Sequence, residues 1–164
     1  MEFPLVSIVI PTHNRVMFLK RAINSVSAQT IQNFEIIVVD DASSDGTADF
    51  LLNLSGSDAR ILCLRNDSSL GGGGARNVGI EASKGTWVAF LDDDDEWVEK
   101  KLEMQLKVLN ANPSAIACSG AYKQLFPSGR SIIKRPPKHV LLDPLLKGNT
   151  LGGASLCVCL REVL

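Results

Sequence analysis

The chain has 164 residues, 45% hydrophobic and 21% charged, and its 17 basic and 18 acidic side chains leave a formal net charge of -1. This composition excludes intrinsic disorder, and the lack of basic excess excludes sequence-independent nucleic-acid binding. The length suits one domain, and no apolar run approaches the roughly 18 residues that a membrane span needs.

Met-Glu-Phe-Pro at the start carries an acid where a signal peptide carries basic residues, so a cytoplasmic location is expected. Residues 5–10 (LVSIVI) form an almost unbroken apolar run that Pro11 ends, which predicts a first strand. Phe18, Leu19, Ala22, Ile23 and Val26 then recur at spacings of three and four, the stripe of an amphipathic helix. Residues 36–39 are a second strand closed by Asp40 and Asp41, followed by turn chemistry at 42–46 and a short helix over 47–54. A third strand is expected over 60–64 and a helix over 75–83, with Gly85 in the left-handed position that ends it. Residues 87–91 form a fourth strand, stopped by four consecutive aspartates. Val98, Leu102, Leu106 and Leu109 give another helical stripe, residues 115–122 a fifth strand, and residues 127–130 a hairpin turn before a basic, proline-containing loop at 135–139.

Cys157 and Cys159 lie two apart in an apolar run and share one face of a strand. With the other two cysteines they read as small hydrophobes in a reducing compartment, since the spacings frame neither a disulfide scaffold nor a zinc site. Residues 160–164 look like the first turn of a helix with no stop signal, so the natural protein is expected to continue. Alternating helices and continuous apolar strands predict an α/β fold: a mostly parallel, Rossmann-like sheet with helices on both faces, forming a single domain over 1–164.

In such sheets ligands bind beyond the carboxyl ends of the strands, and the polar residues here collect there. Strand one exits into Pro11, Thr12, His13, Asn14 and Arg15, strand two into Asp40 and Asp41, and strand four into Asp92, Asp93, Asp94 and Asp95. Adjacent carboxylates repel unless a cation, solvent or a helix N-terminus offsets them. Hard cations such as Mg²⁺ and Mn²⁺ take carboxylate oxygens together with substrate phosphates, which makes the aspartate run a metal–diphosphate candidate. The alternative is that the acids cap a helix beginning near Glu96 or Trp97; capping needs only one or two, and Asp95 is the expected capping member.

Asp40 and Asp41 suit either an Asx turn or contact with a nucleobase or ribose. The glycine run 71–74 lacks the third glycine of a dinucleotide fingerprint, and no P-loop is present. It is expected to be a flexible loop feeding a helix whose second residue is Arg76, placed either to hold a diphosphate or simply at the surface. His13 and the distant His139 do not make a transition-metal site, and His13 is expected to line a pocket rather than transfer protons. Nothing marks a serine or cysteine nucleophile.

The ordered segments VSIVIPTHNR, IIVVDDASSDGT, GGARNVGI and FLDDDDEW closely resemble family 2 glycosyltransferases of the GT-A fold, over about residues 5–125 with a weaker continuation. The resemblance implies transfer of a sugar from a nucleotide diphosphate donor, with a UDP-sugar favoured, to a saccharide or lipid-linked acceptor, usually with inversion, as in polysaccharide biosynthesis. It implies that Pro11, Thr12, His13 and Arg15 line the nucleotide pocket, that Asp40 contacts the base, and that Asp41 supports that loop. Arg76 would lie near the diphosphate. Asp92, Asp93 and Asp94 would form the Asp-x-Asp (DXD) region, with Asp94 foremost and Asp92 beside it as Mn²⁺ or Mg²⁺ ligands. Two positions depart from the pattern: family members often have tyrosine where His13 stands, and the position of Asp93 is commonly small.

The family's general base sits in a Glu-Asp-type motif downstream of a segment like 152–164, beyond Leu164, and Glu162 is not assigned that role. These 164 residues are therefore expected to bind the donor with little or no turnover. A non-catalytic nucleotide-sugar-binding module is the alternative. A sugar-nucleotide pyrophosphorylase fits less well, because its glycine-rich basic signature follows strand one, whereas here the glycines follow strand three. Residues 135–149 are a candidate acceptor-side loop, and membrane association, at the inner face, is reserved for the full-length protein.

Overall fold

The computed structural model describes residues 3–138 and 152–164; His139 and most of the segment 135–149 lie outside them. The order is β1 (Val6–Thr12), α1 (Val16–Ser27), β2 (Phe34–Asp40), α2 (Thr47–Ser55), β3 (Ile61–Arg65), α3 (Gly71–Ala82), β4 (Trp87–Phe90), α4 (Lys101–Asn110), β5 (Ala117–Cys118), β6 (Tyr122–Leu125), β7 (Ser131–Lys134) and β8 (Val158–Leu160), with a short 3-10 turn at Ala154–Leu156. Six strands make one sheet in the order β3-β2-β1-β4-β8-β5, and β6 pairs with β7 as a separate hairpin. Strands β1 to β4 run parallel, while β8 is antiparallel to both of its neighbours. Among the described residues no helix is long and apolar enough to cross a membrane.

The strands are apolar throughout because both faces are covered. Ile8, Ile10, Ile36 and Val38 face one layer, where they meet Leu19, Ala22, Ile23 and Val26 of α1, Leu51 of α2, and Leu102, Leu106 and Leu109 of α4. The alternate residues Ile37 and Val39 face α3, where Ala75, Val78 and Ala82 cover them. Period-two alternation in the strands and a stripe on each helix thus build a three-layer sandwich. Strand order reverses at β1, with β2 and β3 on one side and β4 on the other. α1 and α2 cover one face while α3, which connects in the opposite direction, covers the other.

Several elements depart from the sequence reading, each for a local reason. Pro11 does not end β1. Val9 C=O accepts from Leu91 N–H at 3.0 Å, so Pro11 turns its backbone to the same side, where β4 has already stopped. α4 begins at Lys101, so Val98 is exposed and outside the stripe. β5 is only two residues long because its one partner, β8, offers no more ladder. Gly85 is not a left-handed terminator; it is needed because a Cβ there would stand 2.6 Å from the Ser7 backbone nitrogen. Its N–H donates to Ser7 Oγ at 2.8 Å, tying the end of α3 onto β1. The turn at 127–130 does form, with Gly129 at φ 79 and Phe126 N–H bonded to Arg130 C=O at 2.9 Å. Residues 160–164 form a single 3-10 turn (Arg161–Val163) rather than an α-helical one. Cys157 immediately precedes β8 and Cys159 lies in it; both are half-buried free thiols.

Candidate active site

A cleft of about 390 Å³ opens at the carboxyl ends of β1, β2 and β4, at the reversal of strand order. Pro11, Thr12, His13 and Arg15 from the end of β1 form one wall, Arg76 of α3 another, and Asp92, Asp93 and Asp94 the floor and rim. Asp41 also lines it; Asp40 does not.

The loop after β1 is held by its own side chains. Asn14 sits in the left-handed region at φ 55, and its N–H donates to Ser43 Oγ at 2.9 Å. Its side-chain carbonyl accepts from Ser44 N–H at 2.7 Å and Asp45 N–H at 3.2 Å. A short asparagine that tolerates this backbone thereby fastens the loop to the turn after β2. His13 is exposed on the wall, with Nδ1 2.6 Å from Asp41 C=O and Nε2 3.0 Å from the Asn14 side chain.

The two aspartates after β2 have different partners. Asp40 is buried; its carboxylate accepts from Ser43 N–H at 2.9 Å and is paired with Arg65. Its carboxylate is thus engaged by β3 and by the turn after β2. Asp41 accepts from Asn66 at 2.7 Å, Ser69 at 2.7 Å, Leu70 N–H at 2.8 Å and Gly71 N–H at 2.9 Å. Burial pushes this carboxyl upward, but the four hydrogen bonds outweigh it and hold the pKa at about 2. Asp41 is therefore the anchor for the start of α3.

That start lies earlier than expected. The glycines 71–74 are the first turn of α3 rather than a flexible loop, and Arg76 is the sixth helical residue rather than the second. Its guanidinium is paired with Asp92, while Nε is buried without a hydrogen-bond partner. Gly72 leaves the room this requires, since a Cβ there would stand 3.3 Å from Arg76 Nη1. Sequence reasoning missed Gly72 and Ala75 as cleft residues, although the small side chains leading into Arg76 were a signal.

The aspartates do not cap a helix, because α4 begins at Lys101, several residues beyond Asp95. Asp93 is buried; Thr12 Oγ1 donates to it at 2.8 Å and Arg15 Nη1 at 3.2 Å. The same Nη1 reaches the exposed Asp94 at 3.0 Å. The 3-10 turn backs the loop: Asp92 N–H donates to Ser155 Oγ at 2.9 Å, and Trp97 Nε1–H to Ser155 C=O at 2.8 Å. Desolvation, then the charges of Asp94 and Asp92, push the Asp95 carboxyl up, against a hydrogen bond from Ser155. Ser155 is the supporting residue that no sequence signal marked.

Among the described residues no three His, Cys, Asp or Glu side chains gather tightly enough to hold a metal ion by themselves. The donor set still suits a hard cation such as Mg²⁺, which is commonly bound by one or two carboxylates and completes its shell with substrate phosphates and water. Asp92 and Asp94 offer those oxygens at the cleft rim.

Structural neighbours share this architecture. Staphylococcus aureus TarS residues 1–349 superpose with a TM-score of 0.76 at 22% identity, covering 97% of this chain and 48% of that one. The same TarS fragment in complex with UDP-GlcNAc gives a TM-score of 0.74 at 23% identity, over 97% and 46%. A mannosyltransferase from Pyrobaculum calidifontis, in complex with GDP-Man and Mn²⁺, gives 0.67 at 24%, over 76% and 37%. The fold is GT-A. The sequence profile of Glycosyl transferase family 2 matches residues 7–160, and the chain belongs to that family.

Curated relatives agree. The chain is 34% identical over 151 residues to the putative teichuronic acid biosynthesis glycosyltransferase TuaG of Bacillus subtilis, covering 91% of this chain and 60% of that protein. It is 36% identical over 166 residues to WfgD of Escherichia coli, a UDP-Glc:alpha-D-GlcNAc-diphosphoundecaprenol beta-1,3-glucosyltransferase, covering 100% and 61%. The chain thus spans about 60% of the length of these relatives. Family membership removes the pyrophosphorylase reading.

Proposed function

We propose that this chain is the donor-binding part of a glycosyltransferase that moves a sugar from a UDP-sugar to a saccharide or lipid-linked acceptor, in the cytoplasm and at the inner membrane face when the acceptor is lipid-linked. One observation carries this reading: a cleft at the strand-order reversal in which Arg15, Arg76 and three aspartates converge, in a family 2 chain. The choice of UDP is supported by the UDP-Glc named for WfgD and the UDP-GlcNAc complex of TarS.

Pro11, Thr12 and His13 would flank the nucleoside, and the guanidinium groups of Arg76 and Arg15 would meet the diphosphate, whose oxygens match their donor geometry. Asp94 and Asp92 would hold Mn²⁺ or Mg²⁺, which supplies Lewis-acid stabilisation of charge on the leaving diphosphate. Transfer with inversion needs a carboxylate to take the acceptor proton.

Calorimetric titration with UDP and GDP, in Mn²⁺ or in EDTA, tests this. The expected result is Mn²⁺-dependent binding of UDP that Asp94→Ala abolishes. Absence of binding to either nucleotide would sink the donor-site assignment.

A further inference from the structure

Asp93 and Asp94 are adjacent in sequence but differ in restraint. Asp93 is buried and fixed by Thr12 at 2.8 Å, whereas the Asp94 side chain is 50% exposed. A single guanidinium nitrogen, Arg15 Nη1, bridges the two at 3.2 and 3.0 Å. The backbone carrying Arg15 is pinned on both sides: Asn14 is fastened to Ser43, Ser44 and Asp45, and Arg15 C=O accepts from Leu19 N–H at 3.0 Å. The Arg15 side chain is itself 51% exposed, so it can turn within the cleft while its Cα stays in place. Across the cleft Arg76 pairs with Asp92 and keeps a buried, unpartnered Nε. Asp92, Asp93 and Asp94 thus each have an arginine on them.

An arginine on Asp94 competes with a divalent cation for the same carboxylate. A diphosphate competes with Asp94 for the same arginine, because its oxygens match the guanidinium fork. Each incoming ligand therefore removes the other's competitor, which is positive coupling between two binding events.

The geometry points to Arg15 as the resident counter-cation of Asp94, released to a nucleoside diphosphate so that a divalent cation can take its place. The inference rests on the donor-site reading above. Arg15 makes the two ligands interdependent: without nucleotide the cation must compete with Arg15 for Asp94, and without cation the nucleotide must compete with Asp94 for Arg15. The acidic rim thereby stays neutralised in the empty protein and is exposed to a metal only when a donor is present.

Mn²⁺ titration followed by the EPR signal of the free ion, without nucleotide and at saturating UDP, tests this in wild type, Arg15→Gln, Arg15→Lys and Arg21→Gln. Arg21 pairs with Glu96 nearby and controls for loss of charge alone. Arg15→Gln is expected to bind Mn²⁺ alone roughly tenfold tighter, and the ratio of Mn²⁺ affinities with and without UDP to fall by about the same factor. Arg15→Lys, which keeps a charge but not the guanidinium fork that suits a diphosphate, should fall between, and Arg21→Gln should follow wild type. Unchanged or weaker Mn²⁺ binding by Arg15→Gln, with UDP-dependent Mn²⁺ binding intact in wild type, overturns the inference and leaves the donor site standing. Equal tightening in Arg21→Gln overturns it as well, since general charge then explains the effect. Wild type that shows no UDP-dependent Mn²⁺ binding overturns both readings together.

Discussion

Asp41 shows how much one carboxylate can hold. Its four hydrogen bonds tie the end of β2 to the start of α3 and keep its pKa at about 2, below the ordinary carboxylate range. A folded-state pKa below the unfolded value adds stability that is present above pH ~4 and is lost as pH falls toward 2. For a shift of this size that contribution is about 2 kcal/mol. Asp41→Asn should therefore be less stable by about that amount at neutral pH and should converge with wild type near pH 2, as urea unfolding across the range would show. At this scale much of the site was readable from sequence. Thr12, His13, Arg15 and Asp92 to Asp94 immediately follow strand runs, so chain direction alone puts them at one edge of the sheet. The pairing of Asp40 with Arg65 was not readable, because Arg65 arrives with the next strand.

Among the elements, α3 differs most from its sequence reading. Four glycines suggested a loop, yet they form a helical turn because Asp41 receives the N–H groups of Leu70 and Gly71 from outside the helix. Where nothing surrounds such a glycine, its cost is conformational. A Cβ at Gly73 meets nothing within 4 Å, so Gly73→Ala should stabilise by about 0.5–1 kcal/mol. Gly85→Ala, which sets a Cβ 2.6 Å from backbone, should destabilise by about 3 kcal/mol; thermal melts of the pair would check both signs.

At the head of α4, Lys101 Nζ lies 3.8 Å from the Trp97 ring centroid, buried and without a hydrogen-bond partner. Desolvation pushes its pKa down to about 7. The unfolded chain then holds more protons than the folded one above pH 7, so stability should rise between pH 7 and 8, below the range in which the thiols, whose folded values are raised, ionise in the unfolded chain. Lys101→Met should remove that slope and gain about 1–3 kcal/mol at pH 7, measured by urea unfolding.

At the level of the whole molecule, continuous apolar strands alternating with striped helices were enough to indicate a parallel, two-sided α/β sheet. The antiparallel insertion of β8 between β4 and β5 was not visible, because strand order is settled by contacts across the chain rather than by local pattern. The insertion brings Ser155 under the aspartate loop, so the last described segment buttresses residues more than sixty positions earlier.

The late arrival of β8 also bears on how the protein is made. A ribosome completes β4 about seventy residues before it reaches β8, which at roughly 5–20 residues per second leaves the β4 edge without its neighbour for several seconds. During that interval the nascent chain presents an open apolar ladder of the kind that pairs with other chains. Stalled ribosome complexes halted before residue 152 should accordingly retain a chaperone that complexes extended past residue 164 release.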